Sequence, residues 1–270
     1  MSFSISGKTA IVTGAANGIG LAIARHFAAQ GANVMLADMD EERLADELGG
    51  PGSAEDGNMR RFAGDLREKL TQANLLSATI DAFERVDILV NASRQVVRSD
   101  PLDADDTSLE LLVEQNLLAG YRLSQMVARK MISQAEEDGR GEGAAGTIVN
   151  LSSIAAARVH PALLGYSVST AALNQLTRAL AVALAPHRIR VNALAFGSVM
   201  SESLREALAG SETEREDIVS HTPLERIATA QELAESVQFL ASEAAGFITG
   251  QILVADGGRS LLDAVSTPAH

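Results

Sequence analysis

Apolar residues fall into two rhythms along this chain, and the rhythms alternate. Thr9-Ala10-Ile11-Val12 and Val34-Met35-Leu36-Ala37 are short continuous runs with the character of parallel strands buried on both faces. Between them Leu21, Ile23, Ala24 and Phe27 recur at near-helical spacing and predict an amphipathic helix. The pattern then repeats. A short charged helix over Glu41 to Leu48 and a Gly/Pro/Ser-rich loop over Gly49 to Gly57 lead to a strand over Arg60 to Asp65. A helix over Glu68 to Arg85 follows, then a strand over Val86 to Asn91. Residues 105 to 135 predict a long helix with Leu109, Leu112, Val113, Leu117 and Tyr121 on its apolar side, and Glu136 to Gly143 a polar connection. A fifth strand over Thr147 to Leu151, an Ala-rich helix over Gly165 to Ala185 and a sixth strand over Ile189 to Leu194 come next. A helix over Gln231 to Ala241 and a strand over Gln251 to Val254 close the series. Strands alternating with helices imply right-handed crossovers and an α/β fold with a parallel sheet covered on both faces.

One stretch breaks the rhythm. Residues 198 to 228 are the least periodic and carry many charges, and they follow a strand's carboxyl end, where open α/β sheets bind ligands. They read as a substrate lid.

The first corner carries chemistry. Thr13-Gly14-Ala15-Ala16-Asn17-Gly18-Ile19-Gly20 stands between a strand and a helix, where glycines allow a tight turn and let a pyrophosphate approach the helix N-terminus. Asp38 closes the second apolar run, in position to bond the ribose diol of an adenosine. A glycine-rich solvent loop is the plainer alternative, and the strand before and helix after the turn argue against it.

Composition narrows the function. At 270 residues the chain is sized for one domain spanning residues 1–270. A formal net charge of -13 disfavours nucleic acid and anionic membrane surfaces as partners, which leaves a small-molecule substrate. There is no cysteine, hence no disulfide, no thiolate nucleophile and no Cys-ligated metal, and no metal site is expected. Ser2 to Gly7 lacks the basic start and apolar segment of a signal peptide, so a cytoplasmic location is expected. The apolar stretch Ala171 to Ala185 is interrupted by Asn174, Gln175, Thr177 and Arg178 and reads as a core helix rather than a membrane span.

With Thr13-Gly14-x-x-x-Gly18-Ile19-Gly20, Asp65-Leu66, Asn116, Ser153, Tyr166 and the tail Ile248-Thr249-Gly250-Gln251 to Asp256-Gly257-Gly258, the chain resembles the short-chain dehydrogenase/reductase family over about residues 5 to 259. The resemblance implies a Rossmann-type, doubly wound sheet of seven parallel strands and hydride exchange between a nicotinamide cofactor and an alcohol or carbonyl. It also implies a homo-oligomer, tetramer or dimer, built on the two long helices. By the same resemblance Tyr166 is the acid/base, Ser153 holds the substrate oxygen and Asn116 anchors a water or the active-site helix. Gly14, Asn17, Gly18, Ile19 and Gly20 form the cofactor turn, with Asp38 on the ribose. Asp65 and Leu66 flank the adenine, Asn91 lines the groove, and Val199 and Ser201 meet the carboxamide. Asp38, followed by Met39-Asp40-Glu41-Glu42 rather than by Arg or Lys, predicts NAD over NADP.

Three positions depart from the family pattern. Thr170 stands where a Lys follows the Tyr by four residues; Asn91-Ala92-Ser93-Arg94 puts an Arg in place of a Gly; and Phe196-Gly197 replaces Pro-Gly. Residues 166 and 170 lie one helical turn apart, so the missing Lys removes a cation that would stand beside the phenol. Arg94 is the first candidate for a displaced cation, with Arg158 and His160 as alternatives, although a solvated Arg or an isolated His is the plainer reading of each. Restoring Lys at position 170 is expected to raise turnover unless Arg94 already fills that space. Two functions follow from this: an NAD(H)-dependent alcohol/ketone oxidoreductase with an altered catalytic set, or a non-catalytic NAD(H)-binding sensor or partner subunit of an active homologue.

Overall fold

The computed structural model describes residues 2–48, 57–139, 143–263 and 265. The loop read over Gly49 to Gly57 lies outside the described residues except at Gly57, and the connection over Glu136 to Gly143 lies outside them at residues 140–142.

The strands and helices alternate as the apolar pattern requires. From the N-terminus they are β1 (Thr9–Thr13), α1 (Gly18–Ala29), β2 (Asn33–Asp38), α2 (Glu41–Leu48), β3 (Met59–Ala63), α3 (Lys69–Phe83), β4 (Ile88–Asn91) and α4 (Ser108–Val113). After a π-helical turn at Glu114–Leu118 come α5 (Ala119–Glu137), β5 (Gly146–Ser153), α6 (Leu164–Leu184), β6 (Ile189–Phe196), β7 (Val199–Met200), α7 (Glu202–Ala207) and α8 (Glu212–Ser220). The last are β8 (Ala228–Thr229), α9 (Ala230–Ala241) and β9 (Ile252–Ala255). Seven strands make one sheet in the order β3-β2-β1-β4-β5-β6-β9, every pair parallel.

Strand alternation feeds two cores. Ala10, Val12, Val34 and Leu36 pack with Ile23 and Phe27 of α1 and Leu233, Val237 and Leu240 of α9 on one face. Ile11, Met35 and Ala37 pack with Leu75 of α3 and Leu123, Val127 and Met131 of α5 on the other. The inner strands β1 and β4 are buried at every position because both faces are covered, whereas the edge strands β3 and β9 are only partly buried. The chain runs outward from β1 to β3 and then returns to place β4 on the far side of β1. That reversal opens a crevice at the carboxyl ends of β1 and β4, where doubly wound sheets bind ligands.

Element ends shift by a residue or two along the chain, and two differences from the sequence reading bear on the site. The third strand ends at Ala63, paired with Asp38, because the Gly64 N–H bonds the Asp38 carbonyl at 2.8 Å and turns the chain away, leaving Asp65 and Leu66 in a loop. The long helix starts at Ser108 rather than 105 and is swollen by the π turn at Glu114–Leu118, a device that re-aims side chains by inserting an extra residue. The segment 198–228 carries α7 and α8, and its two ends meet in a parallel ladder, Val199 opposite Ala228 and Met200 opposite Thr229. Among the described residues no helix is long and apolar enough to cross a membrane.

Candidate active site

The turn between β1 and α1 has no room for side chains. Gly14 has φ +65°, and a Cβ there would come within 2.7 Å of the Ser93 Cα. A Cβ on Gly20 would lie 2.1 Å from the Gly14 carbonyl oxygen. Gly18 has φ +55°. The N-cap Asn17 makes no side-chain cap hydrogen bond, so the first turn of α1, led by Gly18 and Ile19, has N–H groups free of side-chain competition. Asp38 sits at the end of β2, and its carboxylate accepts from the Ala16 N–H at 3.1 Å and the Asp40 N–H at 3.2 Å. A cradle of free N–H groups that excludes Cβ atoms, with a carboxylate at its rim, fits the pyrophosphate and ribose of a dinucleotide.

The loop after β4 is fastened at each residue. Thr13 at the tip of β1 accepts from the N–H groups of Ala92 and Ser93, both at 3.0 Å. Gln115 donates to the Ser93 hydroxyl at 3.0 Å. Asn116 clasps the Gln95 backbone on both sides, accepting from its N–H at 2.8 Å and donating to its carbonyl at 2.9 Å. Two successive residues of the π turn thus grip positions 93 and 95 and hold Arg94 between them. Asn91 donates to Ser124 at 2.9 Å and to Asn150 at 2.8 Å, while its buried Oδ1 has no partner.

Arg94 reaches the phenol. Its Nη1 donates to the Tyr166 hydroxyl at 2.8 Å, and its guanidinium carbon lies 4.3 Å from the centroid of the Phe196 ring. Two of the three departures from the family pattern therefore meet in one contact. The third is turned away from it: Thr170, 3% exposed, donates its hydroxyl to the Tyr166 carbonyl at 2.8 Å and to the Ser167 carbonyl at 3.2 Å. The other candidate cations are engaged elsewhere. Arg158 donates from Nε to the Ser260 carbonyl at 3.0 Å, and His160 Nδ1 accepts from the Ala162 N–H at 3.2 Å. Tyr166 itself is 4% exposed. A narrow pocket with a cavity volume of about 20 Å³ is lined by Thr13, Leu66, Asn91, Arg94, Asn116, Tyr166 and Thr170.

The remaining predicted residues surround this centre at different depths. Ser153 ends β5 opposite Phe196 of β6, and its hydroxyl oxygen accepts from the Ala155 N–H at 3.1 Å, leaving its hydrogen free to donate. The Asp65 carboxylate is forked by Arg67, whose hydrogen bonds hold the acid below the usual carboxylate range. Leu66 is buried, and its carbonyl accepts from Gln72 at 2.6 Å. Val199 is buried in β7, and Ser201 caps α7 through the Leu204 N–H at 3.2 Å. The Ser201 Cβ lies 3.9 Å from where a Gly18 Cβ would stand, so the segment from 198 begins over the glycine turn. Sequence reading missed Gln115 and the Thr13 hydroxyl. Thr13 was read only as the first residue of the glycine turn, with no role for its hydroxyl, and Gln115 needed the π turn to aim it.

Comparison with known proteins agrees with this architecture. A family profile described as enoyl-(acyl carrier protein) reductase matches residues 14–260. The chain is 36% identical to the oxidoreductase UcpA of Salmonella typhimurium, over 97% of this chain and 98% of that one. It is also 36% identical to a galactitol 2-dehydrogenase (L-tagatose-forming) of Cereibacter sphaeroides, covering 96% and 97% of the two chains. A solved 7α-hydroxysteroid dehydrogenase complexed with NADH and 7-oxo glycochenodeoxycholic acid superposes with a TM-score of 0.83 at 30% identity, covering 95% of each chain. Glycine turn, parallel seven-stranded sheet and full-length relatives together make the chain an oxidoreductase of the short-chain dehydrogenase/reductase family.

Proposed function

We propose that the protein is an NAD(H)-dependent oxidoreductase that interconverts an alcohol and its ketone, with Arg94 serving the Tyr166 phenol in place of the missing Lys. The observation that carries this reading is the 2.8 Å bond from Arg94 Nη1 to the Tyr166 hydroxyl. When bound, the nicotinamide gives or takes the hydride at the substrate carbon. The chain's own residues handle the proton. Because Arg94 donates to the phenol oxygen, the phenol's hydrogen is left to point at a substrate carbonyl oxygen. As that proton moves across, the negative charge left on the Tyr166 oxygen is already held by a guanidinium. In the oxidising direction the same oxygen receives the hydroxyl proton. Ser153, with its own hydrogen free, steadies the substrate oxygen. Asn116 and Gln115 fix the loop that carries Arg94, so the cation is preorganised.

Asp38 supports NAD over NADP, since its carboxylate stands where a 2'-phosphate would sit. The relative crystallised with NADH supports a nicotinamide cofactor. Residues 198–228, tethered at both ends by β7 and β8, act as the substrate lid. The outward Val168 and Val182 of α6 support a homo-oligomer built on the long helices, which light scattering tests. Titration with NADH, followed by NADH oxidation over a panel of ketones, tests the whole reading. Turnover that Arg94→Ala removes without weakening NADH supports it; NADH binding with no oxidation of any ketone overturns it and leaves a cofactor-binding sensor.

A further inference from the structure

Acidic residues outnumber basic ones in this chain, 35 Asp and Glu against 22 Lys and Arg. Several arginines find one of these acids: Arg25, Arg67, Arg85, Arg122 and Arg226 each bind a carboxylate. Arg94 does not. It is half-buried, and its partners are the Tyr166 hydroxyl and the Phe196 ring, with no carboxylate at ion-pair distance among the described residues. Withdrawing a cation from water without an anion is costly, and a chain so rich in acids has not supplied one. The loop is nevertheless fastened on both sides of Arg94 by Gln115 and Asn116, so the guanidinium is held in place rather than left to reach solvent.

We infer that Arg94 anchors a substrate carboxylate, and that the site takes small hydroxy acids and oxo acids whose carboxylate is attached to the reacting carbon. The inference rests on the oxidoreductase reading for which end of the site is reactive. A guanidinium is a planar fork: its face lies on Phe196, one Nη1 hydrogen goes to Tyr166, and the remaining donors are open to a bidentate carboxylate. The nitrogen that touches the phenol oxygen belongs to the same fork that would grip the carboxylate. The two groups it bridges must therefore lie within one small molecule's breadth, with the carbonyl oxygen at Tyr166 and the carboxylate beside it. A neutral ketone leaves the cation unpaired, so the site discriminates by charge. The cofactor's pyrophosphate is the other anion within this crevice, since the glycine turn packs against Ser93. The direction of Nη1 toward Tyr166 favours the substrate.

The test is a binding measurement on the NADH-loaded protein, with oxamate as the anionic probe and oxamide as its neutral counterpart. Oxamate should bind about 10- to 100-fold more tightly than oxamide, as a charge-assisted fork contact implies. Arg94→Ala should erase that preference while NADH affinity changes by less than about twofold; Arg94→Lys, which keeps the charge but not the fork, should retain part of it. Equal binding of the two probes by the wild type overturns the inference and needs no variant to read. So does an oxamate preference that survives Arg94→Ala, or a loss of NADH affinity in that variant with the preference intact, which would assign the cation to the pyrophosphate. Because the readout is binding, it is separate from turnover. A protein that prefers oxamate yet reduces no ketone sinks only the oxidoreductase reading, and one that reduces ketones regardless of charge sinks only the carboxylate.

Discussion

The Arg94 guanidinium carbon lies 4.3 Å from the centroid of the Phe196 ring. Phe196 is buried at the end of β6 and packs in the core beside Leu151, Leu194 and Val199, so its ring is a fixed floor for the cation. A ring face attracts a guanidinium by roughly 0.5–2 kcal/mol, the larger values applying where water is excluded. Under the proposed function Phe196 would act on the chemistry at one remove, by holding the group that touches the phenol.

Phe196→Leu keeps much of the apolar volume and removes the ring face. We expect NADH affinity to be retained and kcat/KM to fall severalfold, with a coupling of about 1 kcal/mol to Arg94→Ala in a double-mutant cycle. Additive effects of the two changes would show that the contact contributes nothing to catalysis.

In the proposed reading, cofactor choice is expected to be set at the other end of the crevice. Asp38 presents its carboxylate beside the Ala16 N–H, and the neighbouring hollow at the turn is lined by Arg43 together with Asp46 and Glu47. Arg43 is drawn to Asp40 at 3.5 Å, so the one cation among the described residues lining this hollow is already paired with an acid. Asp38→Ser should raise the NADPH affinity relative to NADH by about tenfold, since like charges a few ångströms apart cost roughly 1 kcal/mol in water and more in a partly dry groove. Competing titrations of the two cofactors read this directly, and an unchanged ratio would remove Asp38 from the selection.

These two ends differ in how far they could be read from sequence. The end at the glycine turn is built from backbone conformation and one carboxylate, and glycine spacing after an apolar run reports the first: Gly14 and Gly20 are glycines because their missing Cβ atoms would strike neighbouring backbone. The strands β1, β2 and β4 were legible for a similar reason, since burial on both faces leaves continuous apolar runs. The end around Tyr166 depends on side chains meeting from three separate segments. Residues 94, 166 and 196 are far apart in sequence, and no periodicity links them. Arg94 was the first candidate cation on paper, with Arg158 and His160 as alternatives, and for each a solvated or isolated side chain was the plainer reading. Only the π turn, which lets Asn116 clasp Gln95, decides which of them faces Tyr166. The helix pattern over 105 to 135 concealed that turn, because an inserted residue shifts the apolar stripe without interrupting it.

The entry to α9 carries a titratable lock. Thr229 and Glu232 form a reciprocal capping box, and Arg226 forks the same carboxylate, with one contact at 2.9 Å. The Arg226 guanidinium, followed by the Thr229 N–H and hydroxyl, lowers the Glu232 carboxyl from 4.5 to about 2. A depressed folded value means that the stabilisation is fully present above the unfolded pKa and is lost as pH falls through the folded one, here between about 4.5 and about 2. Glu232→Gln should therefore cost about 1 kcal/mol or less at neutral pH, the pair being substantially exposed and screened, and should cost progressively less below pH 4.5. Urea unfolding of both proteins across that range checks the sign. A difference that grows on acidification would contradict it.

Thr170 gives the sharpest test of which cation serves the phenol. Its side chain is buried against its own helix and lines the same pocket as Arg94 and Tyr166. A Lys at this position would place its ammonium in the space that Arg94 already commands. Two like charges about 4 Å apart at an effective dielectric near 20 repel by roughly 4 kcal/mol, so one of the cations must leave or lose its proton. Thr170→Lys alone should thus lower turnover by about tenfold or more, rather than raise it as expected for a chain with nothing beside its phenol. Arg94→Gly alone should also lower turnover, by removing the guanidinium from the Tyr166 oxygen. The two changes together exchange one cation source for the other, since residues 166 and 170 share a helical face one turn apart. We expect the double variant to recover most of the lost turnover, so that each change is harmful alone and beneficial in the presence of the other. Steady-state rates of the four proteins measure the coupling, and Tyr166→Phe in each background should abolish what activity remains. If Thr170→Lys by itself speeds the reaction while Arg94→Gly leaves it unchanged, Arg94 is not the phenol's cation and its bond to Tyr166 has no part in proton transfer.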